Sequence, residues 1–438
     1  MQALLSFDQA PPIAAPFRFF LTAPIFALLA GLLMLASGPQ LFASRWTPAA
    51  LALTHLITVG FMLQVMLGAL LQILPVVAGA NIAHPLRVAT WVHALLVPGT
   101  LLLAAGLLTS DPLALRLAAV ALALGVALFL VAAGHALAGV PAGNPTILGL
   151  KLALLGLGIS SGLGVVLALA LDGSSELPVL QLTGIHLTWG LVGWSTTLLA
   201  AVALVVVPMF QLTPAYPQWF ARRFFWSLLI VLACWSIASV AGWHWPATLL
   251  ATGMLALLAV FAALTLHLQR QSKRARLDAT QRYWRLAMLS ALSACALALV
   301  SVLLPETAAS RPLPLLWGVL VLHGSLISVI NGMLYKIVPF LVWLHLQNAG
   351  GGRILAPNMQ KVIDRRQIDY QLHAHLAALA LLSAAALLPE WFTYPAATAV
   401  LVASGWLLRN LLAATAFYRQ HRQRIVSLAR ATPAPPPG

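Results

Sequence analysis

The sequence predicts an all-α integral membrane protein whose twelve transmembrane helices form three four-helix arcs in a pseudo-threefold arrangement. Three observations lead there: a composition too apolar for water, twelve apolar runs long enough to cross a bilayer, and a pattern that returns every fourth run. Of the 438 residues, 61% are hydrophobic and 8% charged, and the mean hydropathy is +0.94. A soluble globule of this length needs far more polar surface. The formal charge of +15, from 24 Lys and Arg against 9 Asp and Glu, would suggest nucleic acid for a soluble chain. In a membrane protein it reads instead as basic loops that set topology, with the bilayer as partner and no nucleic acid.

The runs cover about 17–36, 47–78, 86–109, 112–139, 147–171, 179–210, 219–241, 246–268, 285–304, 313–345, 367–388 and 392–416. Loop charges check the count independently. Alternate connections carry Arg87, Lys151, Arg222 with Arg223, the segments 270–285 and 351–367, and the tail "RQHRQR" at 419–424. The other connections hold only Arg45, Arg116 and Arg311 among the basic residues, with Asp111, Asp172, Glu176, Glu306 and Glu390. The positive-inside rule then puts both termini and loop 269–284 in the cytoplasm of a bacterial inner membrane. Residues 1–430 are expected to form one membrane domain, with arcs at about 17–140, 147–268 and 285–416, and 431–438 a disordered proline-rich tail. Cys234 and Cys295 lie in separate apolar runs and suit neither a disulfide nor a zinc site.

Three stretches resemble one another: "THLITVGFMLQVMLGALLQILPV" (54–76), "IHLTWGLVGWSTTLLAAVALVVVPMF" (185–210) and "LHGSLISVINGMLYKIVPFLVWLH" (322–345). Each has an early histidine and a late proline, on the second, sixth and tenth runs, which implies a repeat of four helices. His55, His186 and His323 thereby fall in one layer, roughly 10 to 15 Å below the outer boundary at 1.5 Å per residue. An imidazole in apolar surroundings needs a partner. That partner is either a hydroxyl or carbonyl of a neighbouring helix or a metal, and three at one depth favour a metal. Glycines follow each histidine and serve either close helix packing or room for a flat ring.

Twelve helices with outer-half histidines on helices 2, 6 and 10 resemble subunit I of the heme-copper oxidase and nitric oxide reductase superfamily. The resemblance implies a redox or nitric-oxide-related membrane haem protein. One haem b would be ligated by His55 and His323, with His186 at the position of a copper ligand, and a cytochrome or respiratory-complex subunit would be its electron partner. The chain departs from that pattern in ways that bear on activity. Its seventh run, "FFWSLLIVLACWSIASVAG", has no histidine, Gly190 stands where oxygen-reducing members place a tyrosine, and helix 10 has one outer-half histidine instead of two. A copper site is therefore incomplete and oxygen reduction is not expected. The pattern is similar to NnrS-type membrane haem proteins linked to nitric oxide stress.

Arg45 and Arg311 precede His55 and His323 by 10 and 12 residues and are expected above the ligands, where guanidinium groups suit haem propionates. His373 and His375, two apart at the start of helix 11, must point to different faces and so cannot share an ion. His84, His93, His135, His267, His345 and His421 lie near inner helix ends, and His244 lies between two outer tryptophans. Two other function classes compete. A twelve-helix permease would need an ionisable group near the midplane, where this chain has no acid, and an assembly partner of a respiratory complex would use the basic loops.

Overall fold

The computed structural model describes residues 10–171, 176–274, 278–304, 312–351 and 354–431. They form twelve helices long and apolar enough to cross a bilayer, with no strand among the described residues. These are α1 (Ala14–Ala43), α2 (Pro48–Ala78), α3 (Pro85–Thr109), α4 (Pro112–Ala138), α5 (Pro145–Ala170), α6 (Val179–Gln211), α7 (Gln218–Val240), α8 (His244–Arg270), α9 (Ala279–Leu303), α10 (Pro312–Ala349), α11 (Arg365–Leu387) and, by its full helical extent, α12 (Pro389–Ala431). The starts are written in the sequence. Proline occupies the first turn of α2, α3, α4 and α5, where its missing N–H costs nothing. Thr47, Asp111 and Asn144 cap three of those helices by accepting a backbone N–H.

Neighbours in sequence pack side by side, and α12 returns to pack on α1. Helices α2 and α6 are the most deeply buried of the twelve. The four-helix repeat is visible in the backbone. Helices α2, α6 and α10 each widen into an eight-residue π-helix, at Leu56–Leu63, Trp189–Thr196 and Leu320–Ile327. π-Turns leave carbonyls displaced from the α-helical ladder, and hydroxyls five residues later take them up: Ser195 donates to Gly190, Thr196 to Leu191, Thr197 to Val192 and Ser328 to His323.

The glycines beside the histidines serve close packing. A Cβ on Gly60 would sit 2.5 Å from Phe26 of α1, one on Gly190 2.9 Å from Ser160 of α5, and one on Gly324 2.7 Å from Ser290 of α9. Each inner helix thus presses its glycine against the helix that precedes it.

Two helices extend beyond their apolar runs. Helix α9 starts at Ala279, not 285, because Asp278 caps it through the Gln281 N–H at 2.9 Å, and because Arg282 pairs with Asp369 of α11. Helix α12 continues through the basic segment 419–424 to Ala431. Arg311, Asp172, Glu306 and the tail 432–438 lie outside the described residues. Lys336 reaches the Asp278 carboxylate at 2.7 Å. Burial acts to raise the Asp278 pKa, but the Lys336 ammonium, the Gln281 N–H and Arg274 outweigh it and hold the carboxyl below its ordinary value. A carboxyl depressed in the fold contributes stability above its unfolded pKa of about 3.9 and loses it as pH falls further. Wild-type melting temperature should therefore be flat from neutral pH down to about pH 4 and fall below it. Asp278→Asn should melt lower at pH 7 and lose that acid limb, as read by thermal denaturation across pH.

Candidate metal centre

His55 ends the first α-helical segment of α2, one residue before the π-turn, and donates its Nδ1–H to the Leu51 carbonyl at 2.8 Å. His186 lies three residues before the π-turn of α6 and donates its Nδ1–H to the Ser160 carbonyl of α5 at 2.9 Å. A carbonyl only accepts, so both rings carry their proton on Nδ1 and present the Nε2 lone pair. This is the arrangement in which protein imidazoles bind metals, with the outer carbonyl fixing the tautomer and the ring direction. The two rings lie 6.4 Å apart between centres, with planes within 19°. A metal bound between two imidazoles sets their centres about 6 Å apart, from two bonds of about 2 Å and the ring radii.

His323 lies inside the π-turn of α10, and its buried Nε2 has no hydrogen-bond partner among the described residues. It faces a cavity of about 20 Å³, room for about one water. Ile57 and Phe61 of α2, Asn331 of α10, and Gln371 and His375 of α11 are among its walls. The ring stacks on that of His375 at 4.3 Å between centres and 17° between planes, too close for a metal between them. The Ser328 hydroxyl donates to the His323 carbonyl at 3.1 Å, so the His375 Nε2–H is the donor in its 2.8 Å contact with Ser328.

The structure thus brings His55 to His186 and His323 to His375. Apolar side chains of α2 and α10 meet beside His323, and Arg45 is exposed in the turn before α2, its guanidinium 4.8 Å above the Trp46 ring. His375 escaped the sequence because a start-of-helix position reads as wet. It lies ten residues into α11, 1% exposed, while His373 is exposed on another face. Several of the remaining histidines have ordinary partners: His93 meets the Thr22 hydroxyl, His267 meets Gln271, His345 bonds the Leu341 and Pro11 carbonyls, and His421 bonds that of Phe417. His84, His135 and His244 are exposed.

The donor set fits haem iron or another imidazole-seeking metal, through the lone pairs of His55 and His186 and the orphaned Nε2 of His323. The space beside His323 is water-sized, so a macrocycle there requires its walls to move.

No family model matches the chain, and no curated protein matches it in sequence. Among solved structures it is similar to a heme-copper terminal oxidase seen as a dimer by cryo-electron microscopy, with a TM-score of 0.58 over 94% of this chain and 84% of that one, at 12% identity. The likeness is one of fold: the twelve-helix frame is that of the oxidase chain.

Proposed function

We propose that the chain is a bacterial inner-membrane haem protein with a redox or nitric-oxide-related role, built on the oxidase frame without a complete copper site. The observation that carries this reading is the pair His55 and His186, each with Nδ1–H committed to a backbone carbonyl and no hydrogen bond to Nε2 among the described residues, at 6.4 Å between ring centres. A haem b held by two imidazoles supplies one-electron chemistry. The Leu51 and Ser160 carbonyls orient the ligands and make their nitrogens more basic. The outer loop residue Arg45 offers a guanidinium to propionates, as Arg311 would from the corresponding loop.

A second assignment puts His323 opposite His55. It is supported by the orphaned Nε2 of His323 and by the shared cavity wall of α2 and α10. Haem content by pyridine haemochrome separates the two: His186→Ala abolishes binding in the first and His323→Ala in the second. Retention in both variants would remove the reading.

Copper at His186 lacks partners, since α7 carries no histidine, and the isolated protein is expected to consume no oxygen. Electrons would come from a cytochrome or respiratory-complex subunit. The permease reading is disfavoured by the acids: Asp278 and Asp369 are near helix ends and both are paired. Membership of the NnrS-type group would go with histidines on α2, α6 and α10 and none on α7.

The charge pattern supports cytoplasmic termini, with loop 269–284 inside. In a chain with Cys234 and Cys295 replaced by Ser, Lys273→Cys should resist an impermeant maleimide in intact cells and react after permeabilisation. Labelling in intact cells would invert the topology.

A further inference from the structure

An open cleft of about 510 Å³ lies outside the histidine layer, between α11 and α12 at the basic-loop end of the bundle, lined by Gln367, Tyr370, Gly405, Trp406 and Arg409. Its depth is that of the lipid headgroups. Arg409 stands roughly 30 Å along α12 from Pro389, where that helix begins, at 1.5 Å per residue, and a hydrocarbon core is about 30 Å thick. Gln367 and Tyr370 are in the first two turns of α11. The cleft faces away from the bundle: Tyr370 is 52% exposed and Arg409 is exposed, while the next residues, Gln371 and Asn410, are buried.

The lining side chains hold one another in place. Gln367 Oε1 accepts from Arg409 Nη1 at 2.6 Å and from the Trp406 indole N–H at 3.1 Å. The guanidinium lies 5.9 Å from the Trp406 ring centre, and the Tyr370 ring stands 5.7 Å from that of Trp406 at 59°. Among the described residues Arg409 has no carboxylate partner, so its charge is uncompensated and the donors other than Nη1 face the cleft without an acid. The acids near it in α11 are committed elsewhere: Asp369 pairs with Arg282 and Arg365, and Asp364 caps the helix through the Arg366 N–H at 2.9 Å. A planar guanidinium matches phosphate oxygens two at a time, and Trp and Tyr are the side chains that sit where acyl chains meet headgroups. The lining carries one cation and no anion, so a headgroup ammonium finds nothing there to pair with. Arg365 and Arg366, at the start of α11, add positive charge at the same level. We propose that this cleft binds one anionic phospholipid of the leaflet on the basic-loop side. Arg409 takes its phosphate, Gln367 and Trp406 are positioning residues that aim the guanidinium, and Tyr370 is a wall against the glycerol and upper acyl chain.

The site uses no histidine, so its test is separate from haem ligation. Native mass spectrometry of the full-length chain in detergent, titrated with dioleoylphosphatidylglycerol or dioleoylphosphatidylcholine, counts the lipid retained. Wild type should hold one phosphatidylglycerol more tightly than phosphatidylcholine. Arg409→Gln should weaken the phosphatidylglycerol about tenfold, the lower end for losing a hydrogen bond to a charged group, and leave phosphatidylcholine unchanged. Arg222→Gln makes the same change of charge at an exposed position near the start of α7 and should retain lipid as wild type does. If Arg409→Gln melts below wild type, Tyr370→Ala, which trims an exposed wall, is read in its place and should weaken phosphatidylglycerol about threefold. Equal retention of the two lipids by wild type, a folded variant of the cleft that holds phosphatidylglycerol as wild type does, or an equal loss in Arg222→Gln overturns the proposal. Displacement of the lipid by an equal concentration of glycerol 3-phosphate overturns it too, since the site would then be one for a soluble phosphate.

Discussion

His55→Ala protein is expected to lose the spectrum of a six-coordinate haem and to retain less than about a tenth of wild-type haem, since losing even an outer-shell partner of a metal ligand costs about ten- to a hundredfold in affinity. The reason is local. His55 is the histidine common to both possible ligand pairs, facing His186 across 6.4 Å and standing on the helix that shares a cavity wall with His323. No neighbouring side chain replaces it, because the adjacent Thr54 and Thr58 hydroxyls are committed to backbone carbonyls of their own helix. His373→Ala, which alters an exposed ring, should leave content and spectrum intact. Equal loss in both variants would mean that the ligand lies elsewhere.

Gly156→Ala is expected to be the most damaging small substitution in the bundle. A Cβ at this position of α5 would lie 2.2 Å from the Gly193 carbonyl oxygen and 2.8 Å from the Trp194 nitrogen of α6. These are backbone atoms of a π-turn, so no side-chain rotation relieves the clash and the two helices must separate. Overpacking of this kind costs about 1–3 kcal/mol. The same separation carries the Ser160 carbonyl away from His186 Nδ1, a 2.9 Å bond, so metal affinity should fall with stability. Gly162→Ala on the same helix meets nothing within 4 Å and is the matched control. Thermal melts in detergent check the pair. Equal melting of Gly156→Ala and wild type would show that α5 and α6 do not approach as described.

Much of the frame was legible because a bilayer leaves few options. Apolar runs bounded by Thr-Pro, Asp-Pro and Asn-Pro mark where helices begin, and the late prolines of α2, α6 and α10 with the early histidines expose the repeat. The π-turns were not legible. Their hydroxyl supports, such as Ser195 to Thr197 and Ser328, read as ordinary small polar residues until their carbonyl partners five residues back are known. The start of α9 was hidden by charge: "RYWR" at 282–285 looks like loop, yet Tyr283 and Trp284 are fully buried and Arg282 is neutralised by Asp369. Missing that turn concealed Tyr283, whose buried hydroxyl donates to Gln371 of α11. His375 was discounted for a similar reason. Distance along the sequence from a basic loop is a poor measure of burial when α11 is covered by α10 and α12.

The central claim, that this chain ligates haem through its histidine layer, is tested most directly by the visible absorption spectrum of the purified full-length protein before and after dithionite. The account predicts a sharp α band in the reduced state, as two imidazole ligands give. A folded protein without a Soret or α band, even after reconstitution with haem b, would contradict it.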